Sequence, residues 1–264
     1  IKKGLVGLDP FQLGSLRMIF AACFLLIIGF KTLPTIPIGK WKLIVLSALL
    51  GNFFPAYLFA IAETRIGSSI SGMLNSFTPL NALILGGLFF GLQFKRTQII
   101  GVSVGLIGSL LLVFTGSDTG SSSEYTYIFL VFIATVCYGT NVNLVKKYLS
   151  DLSPLAISTG NFAAMLIPSL LILYATGYFE VIQIPQIQTS TVFIMILGVF
   201  GTGIAKLLFY RLIQMATPVF ATSVTYLIPI VAFFWGLLDN EMLTPLQFLG
   251  ACVILCGVYL SGKK

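Results

Sequence analysis

Nine apolar runs, each close to the length a helix needs to cross a bilayer, divide this chain almost end to end. They fall at Phe11–Gly29, Leu43–Ile61, Ser69–Phe90, Thr97–Phe114, Tyr127–Val145, Pro154–Tyr174, Thr191–Ile213, Val219–Leu238 and Pro245–Ser261. Crossing the hydrocarbon core as a helix takes about 20 apolar residues, so the predicted architecture is an all-α integral membrane protein. Composition agrees. Of 264 residues 57% are hydrophobic and 9% charged, with a mean hydropathy of +1.02, whereas soluble domains carry about 25% charged residues. The separators, such as residues 31–40 and 116–124, hold the glycine, proline and serine that mark turns. None is long enough for a soluble domain.

Charge orients the runs. Short cytoplasmic loops are enriched in lysine and arginine. With the loop at residues 31–42 placed inside, alternate connections collect Lys31, Lys40, Lys42, Lys95, Arg96, Lys146, Lys147, Arg211, Lys263 and Lys264 on the inside, ten positive charges. The outside holds Lys2, Lys3 and Arg65, together with Asp9, Glu63, Asp118, Glu124, Glu180, Asp239 and Glu241; Asp151 alone is an inside acid. The C-terminus is therefore expected in the cytoplasm. The net charge of +7 reflects topology and calls for no nucleic-acid partner.

The chain also repeats itself. A shift of 150 places Gly51, Leu58, Phe59, Pro79, Ala82, Gly86 and Leu88 on Gly201, Leu208, Phe209, Pro229, Ala232, Gly236 and Leu238. A shift of 149 places Gln98, Gly101, Val104, Leu106 and Gly108 on Gln247, Gly250, Val253, Leu255 and Gly257. Near the start a shift of 144 aligns Lys2, Lys3, Leu5, Leu8 and Pro10 with Lys146, Lys147, Leu149, Leu152 and Pro154. Residues 1–116 thus form a first repeat with four visible helices, 117–126 a linker, and 127–264 a second repeat with five. A helix equivalent to Tyr127–Val145 is expected before Ile1, giving ten in all. An odd number per repeat inverts one half against the other, a design of secondary transporters whose substrate site lies near the midplane.

The pattern Leu8-Asp-Pro10, Arg17 and Phe20-Ala-Ala22 resembles the start of the second helix in EamA-type transporters of the drug/metabolite superfamily. So do Gly201-Thr-Gly-Ile-Ala, Thr217-Pro-Val, Tyr226-Leu-Ile-Pro229 and the stretch from Glu241 to Gly250. The resemblance covers nearly the whole chain. Departures are Gln93 in place of a Gly-Glu pair, Asp239-Asn240 before Glu241, and Lys206 at a position more often uncharged. The resemblance implies a ten-helix exporter or importer of small metabolites such as amino acids, in a bacterial inner membrane.

Charge inside a membrane is costly and tends to be functional, and two residues qualify. Arg17 lies about two turns into its helix and suits pairing with Asp9 or a structural or gating role. Lys206 lies one helical turn and more below Arg211. It either snorkels to the interface or faces a cavity and attracts an anionic or zwitterionic substrate. A second tier is polar. Ser71, Asn75 and Thr78 share a face ending at Pro79, and Thr222 and Tyr226, with Thr225, precede Pro229 in the other half. Asn52 with Tyr57, and Tyr138 with Asn141, offer further donors and acceptors. Such groups also serve simply to pack membrane helices. Prolines at matching places free backbone groups that protein, water or ligand must satisfy. Gly87-xxx-Gly91 and Gly101-xxx-Gly105 suit close helix packing or pairing of two copies in a homodimer.

Other chemistry is poorly supported. There is no histidine, the commonest metal ligand and general base. Cys23, Cys137, Cys252 and Cys256 have no CxxC spacing and read as small buried hydrophobes. No metal or cofactor is expected, and Asn161 sits in no convincing glycosylation context. No acid lies mid-helix to couple protons, which leaves a facilitator, a coupling group elsewhere, or titration of Lys206. A membrane enzyme or a non-transport subunit are the rival readings, and both lack the motifs or the reason for an inverted repeat.

Overall fold

The computed structural model describes residues 1–66, 68–114, 125–228, 230–231 and 245–262, and they are helical almost throughout, with no strand among them. A short α1 (Lys2–Leu5) leads into α2 (Pro10–Gly29). After two 3-10 turns, α3 (Trp41–Ala48), a π-helical turn (Leu49–Phe53) and α4 (Phe54–Ala62) run on as one apolar segment. Next come α5 (Ser68–Asn75), α6 (Thr78–Phe90), α7 (Arg96–Phe114), α8 (Tyr125–Tyr148), α9 (Pro154–Ala175) and the short α10 (Tyr178–Val181). A second continuous segment joins α11 (Pro185–Ile196), a π-helical turn (Leu197–Ile204) and α12 (Ala205–Met215). Then follow α13 (Pro218–Ser223), a 3-10 turn (Val224–Tyr226) and α14 (Pro245–Gly262). Among the described residues, five segments are long and apolar enough to cross a membrane: Pro10–Thr35, Ile38–Ala62, Tyr125–Tyr148, Pro154–Ala175 and Pro185–Met215. The expected linker around residues 116–124, Pro229, and residues 232–238 at the end of the run that closes at Leu238 lie outside the described residues.

Local chemistry explains the starts. The Asp9 carboxylate accepts from the Phe11 and Gln12 amides (2.7 and 3.0 Å), and Gln12 Oε1 accepts from the Asp9 amide (3.3 Å). This capping box satisfies donors that the first turn leaves bare. Ser153 Oγ accepts from the Ala156 amide at 3.1 Å in the same way. Each cap precedes a proline at the first helical position, where the missing N–H is harmless. The two caps are the positions that a shift of 144 superposes, and the two π-helical turns overlap under a shift of 150.

The helix expected over residues 69–90 is instead divided at Ser76–Phe77. Pro79 has no N–H to give the Asn75 carbonyl, and its ring crowds that carbonyl. Thr78 Oγ1 donates to Asn75 Oδ1 (3.2 Å) across the break, and the Phe77 amide bonds Leu74 in a tighter turn (3.0 Å).

The chain divides into two compact units, each drawing on both halves of the sequence: Ile1–Thr64 with Leu144–Met215, and Arg65–Asn143 with Ala216–Lys264. In the first, Met18, Ala21, Ala22 and Leu25 of α2 pack with Ala56 and Phe162, and Leu13, Leu16 and Ala60 with Leu173, Tyr178, Ile187 and Ile194. In the second, α7 and α14 meet backbone to backbone. A Cβ on Gly257 would overlap the Gly105 amide nitrogen, and one on Gly101 the Ser261 amide nitrogen. The Gly101-xxx-Gly105 pattern is thus filled within the chain. Gly87-xxx-Gly91 is not packed within the chain: among the described residues nothing lies within 4 Å of a Cβ on Gly87, and Gly91, at φ 64°, closes α6 in the left-handed conformation. The cysteines differ too. Cys23, Cys252 and Cys256 are exposed, because the outer face of a membrane bundle is itself apolar.

Candidate functional site

A polar cluster is buried in the first unit around the π-helical turn at Leu49–Phe53. Asn161, on α9, donates through Nδ2 to Ser47 Oγ (3.0 Å) and to the Tyr210 hydroxyl (2.8 Å). Asn52 Nδ2 donates to the same hydroxyl at 3.3 Å. Ser47, Asn161 and Tyr210 are wholly buried and Asn52 is 3% exposed. Three spanning segments therefore meet through side chains that a purely apolar interface would not carry.

Lys206 lies one turn before Tyr210 on α12, on the same face. Its Nζ donates to the Gly51 carbonyl at 2.6 Å and stands 5.9 Å from the Phe209 ring. Backbone chemistry explains that acceptor. In a regular helix the Gly51 carbonyl would take the amide of the residue four positions on, but that residue is Pro55, which has none. The ammonium supplies the donor. π-helical turns recur at functional sites in proteins generally.

The remaining sequence candidates have other surroundings. Arg17 Nε donates to Thr202 Oγ1 (2.9 Å). It does not pair with Asp9, whose carboxylate is already taken by backbone amides. Tyr57 shares a 2.9 Å hydrogen bond with Ser15 and none with Asn52. In the second unit, Ser71, Asn75 and Thr78 stand at the α5–α6 break above Pro79. Thr222 Oγ1 returns its proton to the Pro218 and Val219 carbonyls (2.8 and 3.0 Å), and the Tyr226 hydroxyl donates to the Val102 carbonyl (2.9 Å). Asn141 is buried with its Oδ1 unpartnered, and Tyr138 is half-buried on the same helix. Near it, Asn143 Nδ2 donates to Ala82 and Gly139 carbonyls (2.7 and 2.9 Å), and Asn81 Nδ2 to Thr135 Oγ1 (2.9 Å).

Asn161, Tyr210 and Ser47 were not legible as site residues. Tyr210 had one signal, its spacing of four from Lys206. Asn161 had none, because its partners lie 114 and 49 positions away.

At one end of the first unit the loop after α8 is fastened at several points. Lys40 Nζ pairs with Asp151 and donates to the Tyr148 carbonyl (3.2 Å), and Gln214 Nε2 donates to the Leu152 carbonyl (2.6 Å). Lys146 Nζ donates to the Ile213 and Gln214 carbonyls, both at 3.0 Å, capping the end of α12. The bond from Lys40 holds the Asp151 carboxyl below the usual carboxylate range. Among the described residues no three metal-ligating side chains gather.

Known proteins share this architecture. The model of the EamA-like transporter family matches residues 1–114 and 125–262. The chain belongs to the EamA-like transporter family. It is similar to the uncharacterized inner membrane transporter YedA of Escherichia coli (strain K12), 27% identical over 279 residues that cover 98% of this chain and 84% of that one. It is also similar to a probable amino-acid metabolite efflux pump of the same strain, 23% identical over 99% of this chain and 88% of that one. A crystal structure of a protein 13% identical matches with a TM-score of 0.76 over 98% of this chain and 89% of that chain, a likeness of fold alone. Membership in the EamA-like family makes this a multi-pass membrane transporter of small molecules rather than an enzyme.

Proposed function

We propose that this EamA-family chain is a secondary transporter of the inner membrane that moves zwitterionic or anionic metabolites, amino acids among them. Transport proceeds by alternating access between two inverted halves, residues 1–116 and 127–264, with 117–126 between them and the C-terminus in the cytoplasm. The observation that carries the substrate class is Lys206, an ammonium inside a spanning segment, held on the Gly51 carbonyl beside Asn52 and Tyr210. A positive charge in so dry a place attracts a carboxylate strongly. Export is the direction supported by similarity to the relative named as a probable efflux pump. The inverted halves are supported by the paired caps at Asp9 and Ser153, by the two π-helical turns, and by the bias of lysine and arginine to alternate loops.

The test is uptake and efflux of radiolabelled amino acids in liposomes carrying the full chain, with Lys206→Ala and Lys206→Arg beside it. Saturable flux that Lys206→Ala cuts at least about tenfold, while Lys206→Arg keeps part of it and both variants stay folded, places the lysine in the pathway. Flux untouched by Lys206→Ala returns the residue to an interfacial role.

A further inference from the structure

The buried cluster is lopsided. Asn161 Nδ2 gives its two N–H groups to Ser47 Oγ and the Tyr210 hydroxyl, and Asn52 Nδ2 gives one to the same hydroxyl. Their carbonyl ends go unmatched: among the described residues, Asn52 Oδ1 and Asn161 Oδ1 are buried with no hydrogen-bond partner. Ser158 Oγ, one turn before Asn161 on α9 and wholly buried, is unpartnered as well. Buried acceptors are rarely left bare, because removing them from water costs the full hydration of the oxygen. Asn52 and Asn161 meet at one hydroxyl, and Ser158 lies three positions before Asn161 on the same helix; unpartnered oxygens so grouped, in a transporter, suit a donor that comes and goes.

Their chemistry selects the donor. Amide carbonyls and a hydroxyl are neutral acceptors, suited to a group with several N–H donors in a tetrahedral spread. The Lys206 ammonium stands on the backbone of Gly51, next in sequence to Asn52. A bare cation beside it would be repelled. A molecule that carries an ammonium and a carboxylate on one carbon meets both demands: the carboxylate turns to Lys206, the ammonium to the amide oxygens. We infer that Asn52 and Asn161, with Ser158, form the ammonium-recognising half of the substrate site and make the carrier selective for α-amino acids over the corresponding 2-hydroxy acids. This rests on the proposed function, since it divides the labour within the same site.

Selectivity is read in liposomes carrying the full chain, with radiolabelled L-leucine, L-phenylalanine and L-serine. Each is competed by its unlabelled self and by the 2-hydroxy acid of the same side chain. The unmodified carrier prefers the amino acid, and Asn161→Leu raises its KM by about tenfold to a hundredfold, the worth of a hydrogen bond to a charged group. Inhibition by the hydroxy acid stays as it was. Asn52→Leu, which gives up only the longer 3.3 Å bond, reads the same contrast if Asn161→Leu does not fold. Amino-acid flux in which both substitutions leave the preference unchanged, as a resident water at these oxygens would produce, overturns the inference and leaves the carrier standing. Equal loss for amino and hydroxy acid also overturns it, showing a structural role. No flux of any of the three amino acids by the unmodified chain removes the proposed substrate class and this assignment with it.

Discussion

Tyr210 shows how one hydroxyl can hold several helices in register. It accepts from Asn161 and from Asn52, two residues on different segments. Tyr210→Phe keeps the ring and its packing but leaves both amide N–H groups short of an acceptor. The expected loss is about 1–3 kcal/mol of stability, read as a lower melting temperature in detergent, with the larger share falling on the 2.8 Å Asn161 bond. Asp151 shows the opposite regime. Its carboxylate is exposed and paired with Lys40, which depresses its pKa. A carboxylate whose folded pKa lies below its unfolded value adds stability above the unfolded pKa, and that contribution fades as pH falls through the folded one. Melting curves taken downward from pH 6 should therefore lose an acid-side slope in Asp151→Asn. The change will be small, as exposed pairs are.

At the scale of elements, proline and glycine set the geometry that carries the site. Pro55 removes the donor to Gly51 just where the helix widens into its π-helical turn, and Lys206 fills the gap. Pro79 does something different in the second unit, dividing α5 from α6 and leaving Asn75 and Thr78 bonded across the break. Glycine sets approach distance. Gly257 and Gly105 let α7 and α14 touch through their backbones, the close packing that membrane helices use in place of a hydrophobic drive. Gly257→Leu would push a side chain into the Gly105 backbone, which cannot yield as a flexible side chain would. Overpacking of this kind costs about 1–3 kcal/mol or more, and the folded, monodisperse fraction on size exclusion should fall sharply. Gly87→Leu, on an open face, should leave it unchanged.

The whole molecule interleaves its sequence: each compact unit takes helices from the first and the second half of the chain. That arrangement ties Gly51 to Lys206 and Arg17 to Thr202 across 155 and 185 positions. Orientation belongs to this scale as well. The charge bias puts Asp151 inside and Glu180 outside. With the native cysteines replaced by serine or alanine, a membrane-impermeant maleimide should label Glu180→Cys in intact cells. It should label Asp151→Cys only after the membrane is opened. The reverse pattern would invert the topology and with it the assignment of the C-terminus to the cytoplasm.

Features that depend only on neighbours along the chain can be read from the residues alone. Run length and hydropathy placed the spans, because solvation of a helix in lipid is a sum over its own residues. Asp9-Pro10 and Ser153-Pro154 announced two helix starts, because capping is settled within four residues. Lys206 was conspicuous because a charge in an apolar run has no local excuse. Contacts between distant segments emerge only when the chain is folded. Folding turned Arg17 from Asp9 to Thr202, separated Tyr57 from Asn52, and joined Asn52 to Tyr210 and Asn161. A hydrogen bond is specific only to the atoms that meet, and no periodicity in a chain records which buried asparagine will face which tyrosine.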